Sequence, residues 1–217
     1  MTGDVNPRDG RTPSLRQAQT ALTEERIIAA AAELFLAEGY VATTLEAVAQ
    51  RAGVGARTVY VRFGTKAALF KRVIDVAIVG DTAAVDVLGR EPMQRALTAP
   101  SAGERITAGA ALGRAIMERT GALFAVAKQA AAVEPVIEEF WQQGRAQARY
   151  AQQVFWTQLA SDGLLAAGTD LDWLIDTAAV VTGAETYLLV TAMLGWDLDS
   201  YQRWLEVTLT RLAGQLA

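Results

Sequence analysis

The stretch from Thr43 to Phe70 constrains the fold of this chain more than any other part of the sequence. It reads TTLEAVAQRAGVGARTVYVRFGTKAALF. Its first apolar residues recur at helical spacing, at Leu45, Val48, Ala49 and Ala52. Gly53 interrupts this pattern, and Val59 and Phe63 then lie four residues apart on one face of a second segment. Two short helices joined by a glycine-marked turn are therefore predicted, which is the pattern of a helix-turn-helix.

The second short helix has an outward face of its own. If Val59 and Phe63 face the core, four other residues of this helix share the opposite side. They are linked to one another by three- and four-residue steps: Ala56, Arg57, Tyr60 and Val61. A face of this kind can enter a DNA groove.

Local signals predict the helix boundaries around this stretch. Thr23 is a candidate N-cap for the first helix, and Gly39 is expected to end it. Thr43 with Glu46 three residues later fits a capping box, so that Thr43 or Thr44 begins the second helix. Gly55 is expected to cap the third.

Thr65 is a candidate N-cap for a long fourth helix, which places Lys66 in its first turn. The helix dipole disfavours a cation there. A DNA phosphate beside the helix N-terminus would offset that cost, so Lys66 is a candidate phosphate contact.

The charge of the chain is divided unevenly along its length. Residues 1–72 carry ten Lys/Arg and seven Asp/Glu, whereas residues 73–217 carry ten and seventeen. A basic front on an acidic body suggests that only the front meets a polyanion. The chain has no cysteine and no histidine, which excludes disulfides, zinc sites with these ligands and thiol or histidine catalysis. We expect no metal, no cofactor and no catalytic residues.

The rest of the chain shows helical periodicity without strand-like alternation. A loop is predicted between Gly89 and Gly103, followed by three helical blocks, at Glu104–Glu118, Ala122–Val133 and Pro135–Ser161. One apolar helix is predicted over Leu171–Leu194, and an amphipathic helix over Tyr201–Leu216. The expectation is an all-α fold of about nine helices, with a flexible basic arm at 1–22, a helix-turn-helix domain at 23–72 and a helical domain at 73–217.

The first twenty residues lack the apolar core of a secretory signal. The apolar region from Leu171 to Trp196 contains Asp172, Asp176 and Glu185, so we interpret it as a core helix and not as a membrane span. A cytoplasmic protein without a membrane partner is expected.

An apolar helix beside a one-sided amphipathic one favours burial against a second copy of the chain, although a crowded monomer core gives the same pattern. The candidate homodimer contacts are Ala179, Gly183, Tyr187, Tyr201, Trp204, Leu205 and Leu209.

Four features in this order resemble the tetracycline-repressor (TetR) family of bacterial transcriptional regulators. They are the capped second helix, the Ala-Gly-Val turn, the T-V-Y-x-x-F segment and the lysine that opens the fourth helix. The resemblance covers about the first third of the chain. It implies a three-helix DNA-binding domain joined to a helical domain for ligand binding and dimerisation. Two departures from the family pattern occur. Gly55 replaces a common hydroxyl residue, and Val61-Arg62 stands where members often have an aromatic or basic residue followed by histidine or tyrosine.

The resemblance also implies roles for individual residues. Phosphate contacts are expected at Thr44, Thr58, Tyr60 and Lys66, and Arg62 is expected to contribute charge. Base edges would be read at Ala56 and Val61, which can touch a thymine methyl group, and at Arg57, which can pair with guanine. Gly55 opens this DNA-binding helix. Tyr60 as partial core, Thr44 as a simple cap and Arg57 as a solvated charge remain open alternatives.

By the same resemblance, a small apolar or amphipathic effector binds in the helical body and releases the protein from a palindromic operator. Aromatic, methionine and polar side chains of the central helices are candidates to line the effector site: Met117, Phe124, Trp141, Arg145, Phe155, Trp173 and Glu185. As a group they also fit a plain core. Two alternative functions stay open, a constitutive DNA-binding or architectural dimer and an all-helical enzyme or carrier with an incidental helix-turn-helix.

Overall fold

The computed structural model describes residues 15–83 and 85–214, and within them the chain is entirely helical between turns and loops. Ten helices follow one another in this part: α1 (Leu15–Ala42), α2 (Leu45–Ala52), α3 (Ala56–Phe63), α4 (Lys66–Val79), α5 (Glu91–Thr98), α6 (Ala102–Ala131), α7 (Pro135–Ser161), α8 (Leu171–Thr182), α9 (Ala184–Leu194) and α10 (Leu198–Leu212). The all-α prediction is confirmed, with one helix more than expected.

Helices α1 to α4 share one hydrophobic core at the N-terminal end of the molecule. Phe35, Tyr40 and Phe70 form an aromatic group in it, with the Phe35 and Phe70 ring centroids 4.6 Å apart in an edge-to-face arrangement. Gly39 interrupts the regular geometry of α1 with φ 78° and ψ 173°, a conformation that only glycine adopts without strain. After this break the Tyr40 side chain is buried in the core.

The predicted start of the first helix at Thr23 is wrong. Helix α1 already includes Leu15, and the Thr23 hydroxyl donates to the carbonyl of Gln19 one turn earlier, inside the helix. A threonine can bond back to the preceding turn as well as cap a helix, so its identity alone does not mark a helix start. Of the expected basic arm, Arg16 lies on α1, while Arg8 and Arg11 fall outside the described residues.

Helix α6 forms the axis of the body and packs against α1, α4, α5, α7, α9 and α10. It merges the two helical blocks predicted at Glu104–Glu118 and Ala122–Val133, since nothing between them ends a helix. Its start is a capping box in which Ser101 and Glu104 bond reciprocally. Helix α5 occupies part of the predicted loop, with Pro92 in its first turn.

The single helix predicted over Leu171–Leu194 is two helices, α8 and α9. Gly183 lies between them with extended backbone (φ −66°, ψ 153°), and the two axes meet at 50°. Across the described residues no individual helix is long and apolar enough to cross a membrane, and α8 with α9 reaches that length only across the bend. The final helix, α10, begins at Leu198 on an Asp197 cap, three residues before its predicted start.

Candidate functional site

Helices α2 and α3 form the helix-turn-helix. The Thr44 hydroxyl accepts a 3.1 Å bond from the backbone of Ala47 at the start of α2, and Gly53 ends α2 in the left-handed region. Arg26 of α1 donates to the Ala52 carbonyl at 2.6 Å and thereby supports this turn from behind. Gly55 precedes α3 as its N-cap without a side-chain bond.

The predicted inward and outward faces of α3 are both observed. Val59 is fully buried and Phe63 packs partly buried on the N-terminal core, whereas Tyr60 is 45% and Val61 77% exposed. The other predicted DNA contacts on α3 and at the helix starts are exposed as well: Thr44, Gly55, Ala56, Arg57 and Thr58. We refer to these exposed residues together as the α3 face.

Arg57 is the free cation of the α3 face. Among the residues that the structure describes, no carboxylate or carbonyl oxygen pairs with its exposed guanidinium. An unpaired arginine keeps all its donors for a ligand, and its fork suits a guanine edge or a phosphate.

Glu46 and Tyr60 are joined across the helix-turn-helix. The Tyr60 hydroxyl donates a 2.6 Å bond to the Glu46 carboxylate. This bond lowers the pKa of the Glu46 carboxyl and raises the pKa of the Tyr60 hydroxyl. The predicted Thr43–Glu46 capping box is therefore wrong: Thr43 is buried and donates to the Gly39 carbonyl, and Thr44 is the cap. A carboxylate thus lies beside a predicted phosphate contact, which the sequence did not lead us to expect.

Arg62 faces inward, toward α1, and not toward a ligand. Its guanidinium lies 3.0 Å from the Glu24 carboxylate, which also accepts bonds from Arg72 of α4. Arg72 in turn donates to the Thr82 carbonyl. The Glu24 carboxylate therefore ties α1, α3 and α4 together, and the charge that Arg62 was expected to offer DNA is matched within the protein.

Lys66 also has a partner within the chain. Its ammonium donates to the carbonyl oxygens of Tyr40 at 2.8 Å and Val41 at 3.2 Å, and lies 4.4 Å from the centre of the Tyr40 ring. These carbonyls end α1, where the helix dipole is negative. The cost of a cation at the start of α4 is therefore offset inside the protein, without a DNA phosphate.

The basic front is less available than its composition suggests. Arg51 pairs with Glu33, Lys71 with Asp75, and Arg62 and Arg72 with Glu24. The Lys71–Asp75 pair lies within α4, whereas the Glu33 and Glu24 pairs join different helices and form only once these have packed. Among the described residues, the α3 face consequently offers one unmatched positive charge, that of Arg57, together with hydroxyl and backbone donors.

The predicted effector residues separate into four places. Trp141 donates to Glu185 at 2.9 Å, Arg145 donates to the same carboxylate, and the Phe124 ring contacts Trp141 edge-on with a centroid distance of 5.7 Å. Met117 lies in the neighbouring aromatic cluster of α6, α9 and α10. Phe155 packs on Trp156 in a different cluster, and Trp173 is exposed. The seven residues do not line one site.

A cleft of about 280 Å³ opens elsewhere, between the end of α4, the start of α5 and the middle of α6. Its wall is mostly aliphatic, with Ile78, Val79, Val87, Ala108, Leu112 and Ala115. Arg90, Arg95 and Arg119 are its charged residues. No local sequence pattern predicts this cleft, because its lining residues come from three helices and a loop that are distant along the chain. We refer to it below as the arginine cleft.

Several predicted dimer contacts lie inside the chain. Tyr201, Leu205 and Leu209 are buried against the body's own helices, so the crowded monomer core, which was the alternative explanation, applies to them. Ala179, Gly183, Tyr187 and Trp204 are half-buried. The exposed apolar residues of α8 and α9 lie elsewhere on these helices: Trp173, Val180, Leu189, Met193 and Leu194.

Residues 27–73 match the family model described as bacterial regulatory proteins, tetR family. This segment spans most of α1 and all of α2 and α3, and it ends within α4. A comparison with curated proteins gave no significant match.

Solved structures resemble the whole chain. A Rhodococcus sp. protein assigned to the TetR family of transcriptional regulators shares 13% identity over 88% of this chain and 98% of its own, with a TM-score of 0.68. A TetR transcription regulator from Haloarcula marismortui shares 13% identity over 89% of this chain and 97% of its own, with a TM-score of 0.65. NalD, the secondary repressor of the MexAB-OprM multidrug efflux pump in Pseudomonas aeruginosa, shares 18% identity over 88% and 95%, with a TM-score of 0.63.

The family model covers the segment that carries the α3 face, and the structural neighbours cover nearly the full length. Residues 27–73 are therefore similar to the tetR family of bacterial regulatory proteins, and the chain as a whole has the fold of the TetR-family transcriptional regulators.

Proposed function

We propose that the protein is a cytoplasmic, ligand-responsive transcriptional repressor that binds a palindromic DNA operator as a homodimer. The α3 face is the observation that carries this proposal. It is exposed, its helix is anchored by the buried Val59, and its central cation, Arg57, has no partner among the described residues. No enzymatic activity is part of the proposal.

The residues of the α3 face divide by chemistry. Thr44, Thr58 and Tyr60 hold backbone phosphates through hydroxyl groups, and Arg57 reads a base edge. Ala56 and Val61 present short apolar groups that can touch a thymine methyl. Arg62 and Lys66 position α3 and α4 through their bonds inside the domain, and contribute to DNA binding through that geometry.

Helix α4 is the element through which the body acts on the α3 face. Its first residue, Lys66, is bonded to the end of α1, while its last turn lines the arginine cleft. A ligand that prefers one tilt of α4 shifts the population of dimers whose recognition helices match successive major grooves, about 34 to 36 Å apart. A coupling free energy of about 1–3 kcal/mol between ligand binding and DNA binding changes the DNA affinity by roughly 5–150-fold.

Selection of bound duplexes from random and genomic DNA by the full chain tests the proposal. The expected result is a two-fold symmetric sequence with half-sites one helical turn apart. Failure to bind any duplex at low salt would exclude the regulator. A bound sequence without symmetry would instead favour an architectural protein, whose footprint would also be insensitive to every ligand that the body binds.

A further inference from the structure

The arginine cleft combines a mostly aliphatic lining with charged residues that are all arginines. Its volume of about 280 Å³ lies just below the usual range of ligand sites. It suits a small organic molecule with an apolar body.

The three arginines are not equally available. Arg90 is held by Asp81, whose pKa its guanidinium lowers to about 2, so this pair contributes little net charge. Arg95 has only an exposed pair with Glu91 one turn away, a kind of contact that is easily exchanged.

Arg119 is the cation without a carboxylate. Its Nε and Nη2 atoms donate to the carbonyls of Ala77 and Ile78 at 2.8 Å each, and no acidic group of the described residues pairs with it. These carbonyls belong to the last turn of α4. Arg119 therefore touches both the cleft and the end of the helix that leads to the α3 face.

We propose that the arginine cleft binds a small amphipathic monocarboxylate, with the carboxylate at Arg119 and Arg95 and the hydrocarbon body against Ala108, Leu112 and Ala115. The charge complementarity decides for an anion over a neutral or cationic ligand, since every unmatched charge on the lining is positive. A carboxylate at Arg119 competes with the Ala77 and Ile78 carbonyls for the same donors. Ligand binding thereby loosens the contact between α6 and the end of α4, and this regulatory consequence rests on the proposed function.

Calorimetric titration of the full chain with octanoate tests the assignment, with 1-octanol and octylammonium as ligands that differ only in the head group. We expect octanoate to bind at least about tenfold more tightly than either, the factor that a charge-assisted hydrogen bond supplies. Arg119→Gln is expected to weaken octanoate by a similar factor. Arg114→Gln is the matched control, because Arg114 lies on the same helix but pairs with Glu118 and Asp199 outside the cleft.

A second variant guards against a general effect of Arg119→Gln on the fold. Ala115→Phe leaves every arginine in place and fills the cleft, so it should abolish octanoate binding while the circular dichroism spectrum is retained. Equal binding of octanoate and octanol, or unchanged octanoate binding in Arg119→Gln, would overturn the proposal. So would equal losses in Arg119→Gln and Arg114→Gln.

A mobility-shift assay separates this inference from the proposed function. If the chain binds its selected duplex but not octanoate, the carboxylate assignment fails and the DNA-binding function stands. If octanoate binding depends on Arg119 but no duplex is bound, the assignment is supported and the regulator fails.

Discussion

The hydroxyl of Tyr60 donates a 2.6 Å hydrogen bond to the carboxylate of Glu46, so the α3 face presents a negative charge beside a group expected to hold a phosphate. Tyr60 must exchange this acceptor for the phosphate when DNA binds. The Glu46 carboxylate then remains close to a polyanion. If the α3 face binds DNA as proposed, Glu46 is expected to weaken binding to every sequence.

Replacing Glu46 by Gln is accordingly expected to tighten DNA binding about two- to fivefold, the effect of removing one repulsive charge at a wet surface. Glu139→Gln, an equal charge change on the exposed side of α7, serves as the control. Because the pKa of Glu46 is lowered in the folded protein, the stabilising contact is present above the ordinary carboxyl pKa and is lost only as the pH falls through the lower folded value. Glu46 is therefore charged at both about pH 6 and about pH 8, and the gain in DNA affinity from Glu46→Gln should be equal at these two pH values. Unchanged affinity in Glu46→Gln would place Glu46 away from the DNA.

Arg57→Ala should relax base preference and cost about 1–3 kcal/mol of specific binding, because Arg57 is the unmatched cation of the α3 face. Nonspecific binding should fall much less. Arg51→Ala provides a comparison, because the Arg51 side chain is also solvent-exposed but is paired with Glu33. Competition assays with base-substituted operators measure both effects. Equal losses on all duplexes would identify Arg57 as a phosphate contact.

Lys66→Met should lower the free energy of unfolding by about 1–3 kcal/mol, because it removes the charged donor that caps the Tyr40 and Val41 carbonyls. The salt dependence of DNA binding should be unchanged. Urea denaturation measures the first quantity and affinity at several salt concentrations the second. A salt slope smaller by about one would show that Lys66 contacts phosphate after all, as its position in the sequence suggests. Lys71→Met, whose partner Asp75 is exposed, should have little effect on stability.

The sequence predicted the features of the helix-turn-helix that depend on short separations. The Thr65 cap, the glycine turn and the inward Val59 each follow from residues within about one or two turns of one another, where helix geometry leaves little choice. The partners of the charged groups that bond from one helix to another were not predictable. Lys66 bonds to carbonyls more than twenty residues earlier, and only the packing of α4 on α1 brings them together.

The same distinction explains the errors in the body. The spacing of Tyr201, Leu205 and Leu209 shows correctly that these residues share a face, but periodicity does not reveal whether α6 of the same chain or a second chain covers it. Gly183 did not predict the break between α8 and α9 either, since an isolated glycine in an apolar segment occurs both in continuous helices and at breaks. The arginine cleft depends on three helices and a loop meeting, which no local pattern encodes.

Gly121→Ala should destabilise the protein by about 1–3 kcal/mol through overpacking. A Cβ atom at this position of α6 would lie 2.5 Å from a ring carbon of Tyr187, and the ring itself rests on Tyr201 at a centroid distance of 5.0 Å. Gly144→Ala is the opposite case. The added Cβ atom meets open space on α7, so this substitution should stabilise the helix by about 0.5–1 kcal/mol. Thermal unfolding of the two variants measures both. If Gly121→Ala were neutral, α9 could move away from α6 at little cost.

Met193→Glu should convert the proposed homodimer into a monomer. Met193 is 72% exposed, and Leu189 lies one turn earlier on the same side of α9, so these residues are apolar surface that a second copy would cover. A carboxylate buried at that contact loses its hydration without gaining a partner. Sedimentation analysis should show the loss of the dimer, and affinity for a two-fold symmetric operator should fall to that of a half-site. Val133→Glu is the control, because Val133 is 70% exposed at the turn between α6 and α7, away from α8 and α9. A dimer that persists in Met193→Glu would place the interface on another surface of the body.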